Sequence, residues 1–330
     1  MASGKALLGV KPRTRLRVGY WNGEDPFEET ERRALAAMML HDLSADDLNG
    51  WLHLGSGRDD PLVIAEQASA GTVILAPNVE RVLDTIRDLA LDVVIIDPFV
   101  SSHRVTENDN NAIDAVVKAW GRIADQANVA VELVHHTRKT NGVETTVEDG
   151  RGASAMLAAV RSARVLNPMS KEERERADVK PSEAYFRVEN GKANLAPPAE
   201  GAEWYQVASV LLGNAGYADD GVWEKEDNVG AVCPWKWPDP FDGVSANDLF
   251  AVQQKIDSGQ WRENPQANEW VGKAVADVLE LDLDDKNDKQ KVKGLLATWV
   301  KTGALVRVMM PDKTRQERPM IEVGKWAEIG

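Results

Sequence analysis

Cysteine is nearly absent from this 330-residue chain, Cys233 being the only one. No internal disulfide can form, which excludes a small bridged scaffold and fits a reducing compartment. Long apolar runs are missing too. Nothing approaches the ~20 residues of a membrane helix, and residues 1–11 hold no stretch long enough for a signal peptide. The expectation is a soluble, cytoplasmic protein with no membrane partner. Positive charge is scarce: 39 Lys and Arg stand against 53 Asp and Glu, a formal charge of −14. That balance opposes nucleic-acid binding over the whole surface and leaves room for a local basic channel. Internal repeats and long low-complexity tracts are absent as well.

What is present is ordinary for a globular chain, with 43% hydrophobic and 28% charged residues. The length suffices for one sizeable α/β core and a second, smaller domain. Apolar runs alternate with amphipathic stretches through the first two hundred residues, the βαβα pattern of a mostly parallel sheet. Strands are expected over residues 15–21, 62–66, 73–76, 92–97 and 129–134. Helices are expected over 26–40, 77–89, 110–128 and 153–160. Residues 171–180 are so highly charged that they read as a mobile excursion, after which 184–189 and 203–212 read as antiparallel strands. Residues 232–244, with Pro234, Pro238 and Pro240, break every regular period. They are the linker candidate. Three helices (247–258, 267–281, 288–302) and a hairpin (305–309 with 320–323) follow, a winged-helix pattern. The expected division is a core over 1–231, a Pro/Trp-rich linker over 232–245 and a winged-helix-like domain over 246–330.

Three groups of polar residues fall where strands end, the edge at which open α/β sheets bind ligands. Asp97 closes the run DVVIID. It reads as a carboxylate for a Mg²⁺ shell or, about equally, as a turn-forming Asp before Pro98. Glu24 follows the first strand in WNGEDP and reads either as a water-orienting carboxylate or as a helix N-terminal acid, a role that suits Asp25 better. His135 and His136 end the strand VAVELV. They make a poor metal pair, lacking partner ligands at usual spacings. They read as a γ-phosphate sensor or as strand-end caps.

The runs WNGEDP, VVIIDPF, VELVHHTRK, RGASAMLAAVRSARVL and GKANLAPPAEGAEWY together resemble the RepA-type hexameric helicases of plasmids and phages, a branch of the RecA/DnaB-like ATPases. The resemblance covers roughly residues 2–212. It implies a RecA-like P-loop NTPase core that uses ATP and Mg²⁺, assembles as a homo-oligomer, a hexameric ring, and moves on single-stranded DNA beside replication or mobile-element proteins. By that comparison Glu24 is the catalytic glutamate, Asp97 the Walker B aspartate holding Mg²⁺ through water, and His136 with His135 the sensor. Arg161 falls at the arginine finger, with Arg151 a second arginine candidate. Lys192 matches a lysine facing the neighbour's nucleotide. The family's Gly-rich phosphate loop would precede the segment at which this chain starts. Ser3-Gly4-Lys5-Ala6 is a decoy for it, because Ala6 cannot ligate Mg²⁺. Weak or absent hydrolysis is therefore expected of the chain as it stands. A non-catalytic DNA-binding, loading or regulatory protein on a degenerate RecA-like scaffold is the alternative.

In a winged-helix reading residues 288–302 form the recognition helix. Lys289, Lys291, Lys293 and Lys301 are then available to phosphates, with Lys313, Arg315 and Arg318 in the wing. Protein docking is the competing reading, since Asp282, Asp284 and Asp285 would repel DNA. Trp270 and Trp299 read as core.

Overall fold

The computed structural model describes residues 1–137, 144–150, 153–193, 202–217, 223–311 and 316–328. The chain divides into two compact units, one of Met1–Met169 with Ser182–Lys236 and one of Ser170–Pro181 with Trp237–Gly330. In chain order the first part runs β1 (Val18–Asn22), α1 (Phe27–Leu40), β2 (Leu52–Ser56), β3 (Ala65–Ala68), β4 (Gly71–Ile74), α2 (Ala76–Asp88) and β5 (Val93–Asp97). Then come β6 (His103–Arg104), α3 (Asn110–Ala127), β7 (Ala130–Leu133), α4 (Ala153–Ala159), β8 (Ser162–Pro168), α5 (Lys171–Ala177), β9 (Ala184–Ala193) and β10 (Glu203–Leu211). The remainder is β11 (Gly216–Tyr217), β12 (Trp223–Glu224), β13 (Asn228–Pro234), α6 (Ala246–Asp257), β14 (Trp261–Arg262), α7 (Val271–Leu279), α8 (Lys286–Thr302), β15 (Leu305–Pro311) and β16 (Glu317–Val323).

The first unit is α/β and centres on a four-stranded sheet of order β2-β1-β5-β7, all of it parallel. β5 shows why. Its apolar residues serve both faces, as a strand covered on both sides requires. Val94 and Ile96 join the cluster that contains Leu83 and Ile86 of α2 and Ile113, Val116 and Trp120 of α3. Val93 joins Val18 and Ala2 in a separate cluster. Burying a side chain such as Ile113 or Trp120 contributes about 1.5–3 kcal/mol or more each. α3 is set by its ends as well as its apolar face. Asp109 caps the amides of Asn111 and Ala112, and Asn128 closes the helix in the left-handed conformation. A second sheet of order β13-β10-β9-β8 is antiparallel, and α1 packs against β2, β10 and β13.

The second unit has its own core of Val252, Ile256, Trp270, Val271, Val275, Val292, Leu295, Trp299 and Leu305, among others. Trp270 and Trp299 are buried in it, as their reading as core expects. Its sheet has the order β14-β16-β15, with antiparallel pairing throughout. The buried amide of Gln253 donates to the carbonyls of Ala304 and Lys325 and accepts from the Ala327 amide.

Two local expectations need correction. The charged run after residue 170 is a helix, α5, rather than a mobile excursion. Ser170 and Glu173 form a reciprocal capping box at its start, and Arg176 lies over the Trp237 ring at 4.9 Å. Residues 62–64, expected in a strand, precede β3, and Ile64 instead bonds to the Ser102 carbonyl.

Candidate functional site

Strands β1 and β5 end in register, Asn22 opposite Asp97. The ladder continues one step past both ends: the Gly23 amide donates to the Asp97 carbonyl and the Gly57 amide to the Asn22 carbonyl, each at 2.7 Å. Gly23 is needed for that approach, because a Cβ there would lie 2.4 Å from the Ser101 Cβ. Asn22 is buried. Its Oδ1 accepts from the amides of Glu24 at 2.9 Å and Asp25 at 2.7 Å, an Asx turn that folds WNGEDP over the rim of the sheet.

The three acidic side chains of this rim differ in what they touch. Asp97 Oδ2 accepts from the Tyr20 hydroxyl at 2.8 Å. Burial, with the neighbouring Asp97 carboxylate, pushes the Tyr20 phenol up to about 12, so it remains a donor. Asp25 pairs with Arg33 at 2.8 Å, and Arg33 also holds Glu29 at 3.0 Å. Glu24 is exposed. The rim thus carries one oriented carboxylate, one neutralised by an arginine, and one facing water.

Beyond Asp97 the chain turns under the end of β7. The Phe99 amide donates to the Val134 carbonyl at 2.6 Å, and the Val134 amide to that of Ile96 at 2.9 Å. The turn is held from below by the buried Ser102 hydroxyl, which donates to the Phe99 carbonyl at 2.7 Å and accepts from Trp120 Nε1 at 3.1 Å. His135 then lies edge-on to the Phe99 ring at 5.8 Å, and His103 at 4.8 Å. Burial lowers the His103 imidazole to about 4, and its Nε2 has no hydrogen-bond partner among the described residues. His136 is exposed. Asp97, Glu24 and His135 therefore share one edge of the parallel sheet.

Arg161 and Lys192 fall together at another corner, where α4 meets β8 and β9. Arg161 is exposed directly before β8. Lys192, opposite Ala163, donates to the Leu157 carbonyl near the end of α4. In the second unit Lys289, Lys293 and Lys301 are exposed, whereas Lys291 donates to the Asp242 carbonyl at 2.7 Å. Arg318 donates to Gln316 at 2.6 Å. Arg151, Lys313 and Arg315 lie outside the described residues.

Tyr20, Asn22 and His103 were not picked out from the sequence. Asn22 had a readable signal, an Asn followed by Gly at a strand end. Tyr20 and His103 acquire their roles only through pairing with β5 and burial under Phe99. Among the described residues no group of three or more His, Cys, Asp or Glu is placed to hold a metal ion directly, and no helix is long and apolar enough to cross a membrane.

Residues 1–142 match the AAA domain family, and this segment is similar to P-loop ATPases at that level. The match takes in the rim of Glu24 and Asp97 and the two histidines, and stops before Arg151, Arg161 and Lys192. Among solved structures, one match is to a KaiC-like protein of the hyperthermophilic archaeon Pyrococcus horikoshii OT3. That likeness has a TM-score of 0.39 at 11% identity and covers 58% of this chain and 72% of that one. No curated protein matches the chain.

Proposed function

We propose that the first unit is a RecA-like ATPase core of the RepA-type helicase class, which couples ATP hydrolysis to movement on single-stranded DNA. The observation that carries this reading is the rim itself: Asn22 and Asp97, paired in register, hold Glu24 and the Asp97 carboxylate at one edge of a parallel sheet. With one oxygen of Asp97 already accepting from Tyr20, the residues present fit a Mg²⁺ ion that keeps its waters and is held by Asp97 through one of them, as Mg²⁺ commonly is. Bound ATP with Mg²⁺ would supply the phosphoryl group and neutralise its charge. The chain's own residues do the rest. Tyr20 orients the Asp97 carboxylate through its hydrogen bond. Glu24, exposed and held at the backbone by Asn22, orients the attacking water. His135 and His136 read the terminal phosphate, and Arg161 reaches a neighbouring subunit's nucleotide in a hexameric ring. Lys192, directed to the end of α4 within its own chain, joins that interface. The setting is cytoplasmic, with replication or mobile-element proteins as partners. The second unit is winged-helix-like.

Steady-state ATP hydrolysis with and without single-stranded DNA tests this, on this chain and on one extended upstream through any in-frame Gly-rich Lys-Ser/Thr loop. Glu24→Gln in the active form is expected to lower turnover by about 10²–10⁴-fold while nucleotide affinity is kept. Unchanged turnover would remove Glu24 from its role. The basic helix of the second unit favours a second reading, a non-catalytic DNA-binding or loading protein. No hydrolysis in either form, together with DNA binding, would select it.

A further inference from the structure

From Trp237 onward the second unit is strongly polarised along its sequence. Residues 237–285 carry eleven Asp and Glu against three Lys and Arg, whereas residues 286–330 carry ten Lys and Arg against five Asp and Glu. α8 opens the basic half, and its packing fixes which way it faces. Val292, Leu295 and Trp299 are buried in the core, leaving Lys289, Lys293, Ala297 and Lys301 exposed. These four positions are successive members of one i, i+4 ridge, about 18 Å long at the rise of an α-helix. The three lysines have no hydrogen-bond or ion-pair partner among the described residues, unlike Lys286, which pairs with Asp178, and Lys291, which is turned to Asp242.

The nearby acids do not cancel this row. Asp285 caps the amides of Asn287 and Asp288, and Asp288 accepts from the Asp282 amide. Their charge stays at the first turn, while Lys293 and Lys301 lie about two and four turns further on. Unpaired ammonium groups in a row repel one another, and a polyanion laid along them relieves that repulsion.

We infer that the α8 ridge is a phosphate-tracking surface for duplex DNA, a partner distinct from the single strand assigned to the first unit. Lysine is a point charge suited to phosphates rather than a bidentate reader of bases. Single-strand sites combine such charges with aromatic platforms, and the one aromatic of α8, Trp299, is buried. An exposed helix face also has the dimensions that the major groove admits. The inference rests on a DNA-contacting role for the second unit and is independent of the ATPase reading, because it needs no nucleotide.

The test is fluorescence anisotropy of the full chain, without nucleotide, on a labelled duplex and on one of its strands between about 50 and 200 mM salt. The Lys289→Gln/Lys293→Gln/Lys301→Gln variant is compared with the exposed Lys273→Gln as control. Gln keeps helix propensity close to that of Lys, and circular dichroism verifies the fold. The triple variant should bind the duplex more weakly and flatten the slope of log K against log salt by roughly three, about 0.9 per lost phosphate contact. The control should leave both unchanged. An unchanged slope in the triple variant, equal binding and slope loss on the single strand, or no duplex binding by the parent chain would each overturn the assignment.

Discussion

His103 shows what burial does to a residue that the sequence leaves unremarked. Its imidazole is lowered from 6.5 to about 4, first by desolvation and then by the nearby His135 and Arg104, against an opposing pull from Glu107. Between those two values an unfolded His binds a proton that the folded one refuses, so stability rises with pH across that window. The contribution is complete above about 6.5 and is lost as pH falls toward about 4. With allowance for solvent screening the loss is about 2 kcal/mol. Urea titrations at pH 7 and pH 4.5 should show the parent losing more stability than His103→Gln. Equal losses would mean that His103 does not set this part of the pH profile. The same scale explains what could be read of the rim in advance. Asp97 and Glu24 announce themselves as acids after apolar strands. Asn22 and Tyr20 matter through the partners they meet, Glu24 and Asp25 for one and Asp97 for the other, and those pairings become visible only once β1 and β5 are in register.

At the scale of elements, periodicity carried most of the information. The helices α2 and α3 and strands β5 and β7 follow from apolar spacing, and the antiparallel pairing of β9 with β10 was legible as two late strands. β2 was missed because LHLGS is short and ends in small residues that resemble a turn. α5 was missed because charge density outweighed its cap, although Ser170 and Glu173 have the S-x-x-E spacing of a capping box. Capping is also where α3 can be tested. Asp109→Ala removes the acceptor for two amides at the head of the longest helix described, and the expected cost is about 1 kcal/mol in chemical denaturation. A change below a few tenths would indicate that water replaces the carboxylate there.

For the whole molecule, the hydrophobic clusters of the two units share no residue. Each unit therefore has its own core and its own reason to unfold cooperatively. Scanning calorimetry should resolve two transitions, and Leu295→Ala, at a fully buried position, should lower one of them by the equivalent of about 2–5 kcal/mol while the other stays. A single transition shifted as one would show that the cores melt together. The inserted helix α5 complicates any attempt to cut the units apart. The chain leaves the first unit after Met169, returns at Ser182, and leaves again after Lys236. α5 belongs with the second unit, held by the Asp178–Lys286 pair and the stacking of Arg176 on Trp237. A protease that nicks the Pro-rich segment after Lys236 thus breaks one of three covalent crossings, and the larger fragment keeps α5 as a tether to the smaller one. The two pieces should then co-elute under native conditions and separate only in denaturant.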